Sequence, residues 1–243
     1  MNLSIIIPAF EERRKIAYDV KAASEFLASH GLAGEILVVD DGSTDDTATV
    51  AKSVAVDSGV KLKVIRYERN MGKGYAVRSG IRESQGDYTM FADSGLCVPY
   101  DSALQGLELI KSGVCEIAHG SRKLAHSRIH RPQAWQRRLT AKIFRWLVIY
   151  WLKIPAQLSD TQCGFKVYRG NVARELYAEC ATNGFLFDVE IILRALRKGY
   201  RIEEFPVDWT CDRDSRLSLT RSPKRILHEL KALRNQFRRA ARE

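Results

Sequence analysis

A chain of 243 residues, 45% of them hydrophobic, is long enough to bury a sizeable core and too apolar to stay disordered. No run of about 18 uncharged apolar residues is present, which excludes a spanning helix at the level of sequence. A net charge of +10 points to an anionic partner: nucleic acid, a phosphorylated substrate or a membrane surface.

The first half alternates. LSIIIP (3–8) reads as a strand covered on both faces, and residues 12–29 carry Ile16, Val20, Ala23 and Leu27 at helical spacing. A second strand, EILVVD (35–40), follows the glycines Gly31 and Gly34. Beyond it the pattern predicts a helix from near Thr44, a strand at 62–67, a helix at 73–84, a strand at 87–92 and a helix at 101–112. This alternation predicts an α/β fold, a Rossmann-type, mostly parallel sheet flanked by helices. Ligands bind such sheets beyond the carboxyl ends of the strands. PAFEE, DDGSTDDT and DSG all fall at such ends.

In VVDDGSTDDT, Gly42 permits a tight turn and Ser43 or Thr44 can cap a helix. That accounts for the second half of the motif. The adjacent carboxylates Asp40 and Asp41 can instead accept from a base N–H or a ribose hydroxyl. RNMGKGYAVRSGI (69–81) lacks P-loop spacing, and no GxGxxG follows the first strand. Lys73 or Arg78 can meet a phosphate there, the alternative being a glycine turn with solvated charges. In FADSG, Asp93 is a lone carboxylate at a strand end, either a cap or a ligand.

The positive charge is concentrated. Residues 122–153 hold nine Lys or Arg and no acid, and residues 221–243 hold eight basic and two acidic residues. Within the first segment RRLTAKIFRWLVIYWLKIP (137–155) mixes cations with Ile143, Phe144, Trp146, Leu147, Tyr150 and Trp151. In the second, Ile226, Leu230, Leu233 and Phe237 recur at helical steps behind Pro223, predicting a basic amphipathic C-terminal helix. Either stripe suits an anionic membrane surface, or packs on the core or a second subunit. The aromatic content favours a membrane over nucleic acid. The five cysteines, Cys97, Cys115, Cys163, Cys180 and Cys211, show no metal-ligand spacing and predict reduced thiols. With no signal-peptide pattern before LSIIIP, the expectation is a cytoplasmic protein held peripherally at a membrane, alone, as a homo-oligomer or through a membrane-protein partner.

SIIIPAFEE, VVDDGSTDDT, NMGKGYAVR, FADSG, GSR and DTQCGFKVYR, in this order, resemble the family 2 glycosyltransferases of the GT-A fold. DTQCGFKVYR (160–169) and residues 184–209 look most like the branch of dolichyl-phosphate β-glucosyltransferases and dolichol-phosphate mannose synthases. The resemblance implies a GT-A domain over 1–220, with a nucleotide-sugar half to about residue 99 and an acceptor half after it, and a tail helix over 221–243. It implies an inverting transfer of a hexose from a nucleotide diphosphate sugar, of UDP-glucose or GDP-mannose type, to a polyprenyl-phosphate lipid.

It also implies donor contacts from Pro8, Ala9, Phe10, Glu12, Asp40, Asp41, Lys73 and Asp93, and from Arg216 and Ser218 in a late loop. Asp93 matches the first acid of a D-x-D motif and so the ligand of Mg²⁺ or Mn²⁺. Gly95 stands where the second acid belongs, and Glu11 where Asn is usual. Metal-independent transfer, transfer to another acceptor and a non-catalytic nucleotide-sugar binder therefore stay open. A phosphate acceptor is already anionic near neutral pH, so it needs cations more than a base. Arg122, with Arg128 or Arg131, is the expected acceptor site, and Asp160 positions the sugar or orients an arginine.

Overall fold

The computed structural model describes residues 2–131, 135–211 and 223–239, without the side chains of 135–140, 223–226 and 239. In chain order the elements are β1 (Asn2–Ala9), α1 (Ile16–Ser29), β2 (Ala33–Asp40), α2 (Thr47–Ser53), β3 (Val60–Arg66), α3 (Lys73–Glu83), β4 (Tyr88–Ala92), α4 (Ala103–Lys111) and β5 (Ile117–Ser121). They continue with β6 (Arg128–Arg131), α5 (Trp135–Leu152), β7 (Phe165–Arg169), α6 (Gly170–Ala178), α7 (Phe187–Arg197), β8 (Ile202–Pro206), β9 (Asp208–Thr210) and α8 (Pro223–Arg239).

Seven strands form one sheet in the order β3-β2-β1-β4-β7-β5-β8. All run parallel except β7, which is antiparallel to both β4 and β5. β6 and β9 pair separately. The apolar strand sequences follow from double coverage. Leu3, Ile5 and Ile7 of β1 face α1 and α4, while Ile6 meets Ala76, Val77 and Ile81 of α3. The expected halves on either side of residue 99 share this sheet, because β4 from the first pairs with β7 from the second.

Three predicted helix starts move, each for a local reason. The helix expected from residue 12 begins at Ile16, because the carbonyl of Glu12 closes a turn with the amides of Lys15 and Ile16. The one expected near Thr44 begins at Thr47, whose amide is met by the Asp45 carboxylate at 3.0 Å. The one expected at 101 opens as a 3-10 turn over Tyr100–Ser102.

Three of the four residues of the expected α8 stripe are turned inward, and the side chain of the fourth, Ile226, lies outside the described residues. Leu230, Leu233 and Phe237 pack with Phe144, Val148 and Leu152 of α5 and Val189, Ile192 and Leu193 of α7. The stripe expected on α5 splits: Phe144 joins this core, Leu147 and Trp151 are partly buried against it, and Ile143, Trp146 and Tyr150 remain exposed. No helix among the described residues is long and apolar enough to cross a membrane. Cys115, Cys163 and Cys180 are free thiols, and of the five cysteines all but Cys97 are buried.

Candidate active site

β1 lies between β2 and β4, so the strand order reverses at its carboxyl end, the place where doubly wound sheets bind ligands. Phe10 and Glu12 leave β1 there, Asp40 and Asp41 end β2, Asp93 follows β4 and Arg122 follows β5. Because β7 is antiparallel, the residues before it, 160–164, arrive at the same edge.

Those strand ends converge on two ion pairs. Lys73 Nζ lies 2.5 Å from Asp93 Oδ1. Arg122 grips Asp160 in a fork, Nε to Oδ2 at 2.6 Å and Nη2 to Oδ1 at 2.7 Å, and its backbone amide adds a third bond at 3.0 Å. The β4–β7 ladder extends between them: the amide of Asp93 donates to the Gly164 carbonyl at 2.8 Å. A Cβ at residue 164 would lie 2.0 Å from Asp93 Oδ2, so only glycine leaves that carboxylate its place. Burial works against charge on Asp160, but the Arg122 guanidinium outweighs it and holds the carboxyl below its usual range. Burial likewise opposes charge on Lys73, and Asp93 with Asp188 keeps its pKa above the ordinary lysine value.

The donor-side expectations find mixed geometry. Pro8 and Ala9 are buried strand residues beneath the site, and Phe10 and Glu12 are partly exposed on the loop that follows. Asp40 Oδ1 accepts from the Ser43 amide at 3.1 Å, and its Oδ2 lies 3.4 Å from Arg66 Nε. Both oxygens of Asp41 accept backbone amides, of Met71 and Gly72, each at 2.8 Å. Asp41 thus shapes the turn that presents Lys73. Arg78 donates to the Cys180 carbonyl and to Asn183 Oδ1 at 2.8 Å. Glu11 sits at φ +56, a backbone state Asn tolerates readily, and its carboxylate accepts from the amide and hydroxyl of Thr44. Arg128 and Arg131 are exposed on β6. Arg216 and Ser218 lie outside the described residues.

Several contributors carried no motif. Asp19 of α1 is fully buried and accepts from the amides of Gly95 at 2.9 Å and Leu96 at 3.0 Å, anchoring the loop after Asp93. Gly95 has φ +94, which a carboxylate-bearing residue adopts only under strain. Glu204 of β8 accepts from the Asp160 amide at 2.7 Å and the Ser159 hydroxyl at 2.5 Å. Arg145 of α5 donates to the carbonyls of Ser159 and, at 3.2 Å, Ala156. Trp209 lies under the Arg122 guanidinium, 5.3 Å from ring to charge. Lys166 is fully buried, 2.7 Å from Asp188 and 2.6 Å from the Cys163 carbonyl. The signal for Asp19 was a carboxylate three residues after Ile16 on the inward face of a helix; Glu204 and Arg145 showed none.

Burial pushes the Asp19 carboxyl up to about 7. The folded chain then keeps a proton that the unfolded chain releases near its ordinary 3.8. Asp19 therefore favours folding most below that ordinary value. Its contribution declines as pH rises toward about 7 and is flat beyond. Urea unfolding at pH 5 and pH 7.5 should show wild type losing more stability than Asp19→Asn over that interval. Equal losses contradict the assignment.

A seven-stranded, mostly parallel sheet flanked by helices, with acids and cations gathered beyond its strand ends at the reversal of strand order, defines a GT-A glycosyltransferase fold. The profile described as Glycosyl transferase family 2 matches residues 4–177, and the chain belongs to that family. Among curated relatives, a dolichyl-phosphate beta-glucosyltransferase of Saccharomyces cerevisiae is 28% identical over 97% of this chain and 75% of its own length. The human enzyme of the same name is 29% identical over 86% of this chain and 67% of its own. Glycosyltransferase AglD of Haloferax volcanii is 29% identical over 91% of this chain, which spans only 35% of it. Among solved structures, glucosyl-3-phosphoglycerate synthase from Mycobacterium tuberculosis in complex with UDP superposes with a TM-score of 0.68, at 18% identity, over 96% of this chain and 80% of that one. The same enzyme has also been solved with Mn²⁺, UDP and phosphoglyceric acid (TM-score 0.65, 18% identity, 97% and 75% covered).

Proposed function

We propose that this glycosyltransferase moves a hexose from a nucleotide diphosphate sugar to a polyprenyl-phosphate-type lipid at the cytosolic membrane face. The observation that carries the reading is the convergence of the Lys73–Asp93 and Arg122–Asp160 pairs on one strand-end edge, joined through residues 160–164. Such an edge can hold two anions side by side, which transfer between a diphosphate and a phosphate demands. The dolichyl-phosphate enzymes among the relatives support the acceptor class.

In this reading residues 1–99 form the nucleotide-sugar half. Pro8, Ala9, Phe10, Glu12 and Asp40 line the nucleoside side, and Asp41 acts through the turn at Gly72. Lys73 and Asp93 face the diphosphate. Residues 100–220 form the acceptor half, in which Arg122, fixed by Asp160, receives the lipid phosphate, with Arg128 and Arg131 along its approach. The acceptor dianion attacks the anomeric carbon from the face opposite the leaving diphosphate, so one displacement inverts the centre. No protein base is required, because the nucleophile is already ionised.

A divalent ion, Mg²⁺ or Mn²⁺, fits Asp93 on one condition. Among the described residues no group of three or more His, Cys, Asp and Glu side chains is placed to hold an ion, so diphosphate oxygens must complete the shell. The ion would then neutralise charge on the departing nucleotide. A panel of UDP- and GDP-sugars, scored by thermal transition with and without Mg²⁺, tests the donor site. One nucleotide class should raise the transition in proportion to occupancy, and no shift with any member contradicts the reading.

Membrane contact belongs to α5 in this account, since Leu230, Leu233 and Phe237 of α8 are already packed and leave Leu227 as the exposed large apolar side chain described on that helix. Ile143, Trp146 and Tyr150 share an exposed face, the two rings touching at 5.3 Å between centroids, with Lys142 and Lys153 exposed beside it. Rings of this kind sit at headgroup level, and cations meet the anionic leaflet. Replacing Ile143, Trp146 and Tyr150 with Ser should weaken co-flotation with anionic vesicles by about tenfold or more while leaving thermal stability near wild type. Unchanged flotation contradicts the assignment.

A further inference from the structure

The Lys73–Asp93 contact raises a question of occupancy. Asp93 is the carboxylate expected to take a divalent ion, and a lysine ammonium lies against one of its oxygens at 2.5 Å. Lys73 is no loosely tethered surface cation. Its side chain is only 15% exposed, and its ammonium lies 5.8 Å from the ring centres of both Phe91 and Phe187. It also opens α3, and the positive end of a helix is a poor place for a cation unless an anion faces it. Asp93 is that anion. The second motif position holds no acid, since Gly95 stands there at φ +94 with its amide committed to Asp19, and the nearby Asp188 is already paired with Lys166.

Charge balance then decides what can enter. Asp93 and Lys73 together are neutral. A divalent ion arriving alone must push the ammonium off the carboxylate, and the site is left with excess positive charge beside a helix N-terminus. An ion arriving with a nucleoside diphosphate brings its own compensation, because the phosphate oxygens can accept the displaced ammonium. We propose that Lys73 is a displaceable counter-ion of Asp93: it keeps the carboxylate closed to divalent cations in the free protein and transfers to the diphosphate when donor binds, so that cation and donor load together. The proposal rests on the donor site argued above and assigns Lys73 two successive partners.

The test is equilibrium Mn²⁺ binding to the full chain, read from the electron paramagnetic resonance of free Mn²⁺, with no nucleotide, with UDP and with GDP. Wild type should bind Mn²⁺ weakly alone and about tenfold or more tightly with one nucleotide; by reciprocity Mn²⁺ should tighten that nucleotide by the same factor. Lys73→Met should bind Mn²⁺ alone about tenfold tighter than wild type and lose most of the nucleotide effect, while Lys73→Arg should behave as wild type. Lys73→Met that binds Mn²⁺ alone no better than wild type overturns the counter-ion role. So does wild type that binds nucleotide yet shows the same Mn²⁺ affinity with and without it, a comparison that needs no variant and leaves the donor site standing. Wild type whose thermal transition responds to neither nucleotide overturns both readings.

Discussion

Gly164→Ala should lower sugar transfer to about 1% of the wild-type rate while the chain still folds. A Cβ at this position would lie 2.0 Å from Asp93 Oδ2, 2.1 Å from Cγ and 2.3 Å from Oδ1, well inside any tolerable contact. Something must shift. The backbone of residue 164 is tied to the Asp93 amide and runs directly into β7, so the carboxylate yields first. A displacement of about 1 Å at a reacting centre is enough to cost about two orders of magnitude in rate. The overpacking should also cost about 1–3 kcal/mol of stability, which a domain of this size tolerates. Transfer within twofold of wild type would show that Asp93 does not work from the position described.

Arg122→Ala should damage both folding and catalysis. Asp160 is 5% exposed and receives both the fork and the amide of Arg122. Removing the guanidinium leaves a carboxylate buried without its counter-charge, at a cost of about 3–5 kcal/mol. The sign follows from the depressed pKa of Asp160: the pair stabilises the fold above the ordinary carboxylate pKa and fades as pH falls through the lower folded value. Adding Asp160→Asn to the variant removes the stranded charge and should restore part of the stability. It should not restore transfer, because in the proposed reading Arg122 is the cation that meets the acceptor phosphate, and its loss is expected to cost about 10²–10³ in rate. Equilibrium unfolding of the single and double variants measures the first effect, and initial rates measure the second. A single variant within about 1 kcal/mol of wild type would remove the pair from the account.

The sequence carried the alternation of the first half and the location of its clusters at strand ends, because doubly covered strands and amphipathic helices leave direct periodic traces. It did not carry the pairings. Asp93 and Gly164 are far apart in the chain, and only the antiparallel β7 inserted between β4 and β5 brings them into contact. Asp41 read as a ligand because two adjacent acids exceed what a turn requires; in the fold each of its oxygens also accepts a backbone amide, from Met71 and Gly72. Lys73 was expected on a phosphate, and the protein itself supplies the anion it rests on. Apolar spacing on α5 did not distinguish residues that pack on α7 and α8 from those that meet solvent. Glu190 shows half of its role locally: Arg194 follows it one helical turn later on α7, whereas the bonds it accepts from the Ala181 and Thr182 amides depend on how the chain enters that helix.

The central claim is that two anions are brought together at one strand-end edge and that one displaces sugar from the other. Purified protein given radiolabelled UDP-glucose or GDP-mannose, a prenyl monophosphate in vesicles, and Mg²⁺ or Mn²⁺ should form an acid-labile, lipid-extractable sugar phosphate of inverted anomeric configuration. Asp93→Asn should reduce that product by about two orders of magnitude. A protein that binds one of these donors yet leaves the prenyl phosphate unglycosylated would contradict the account.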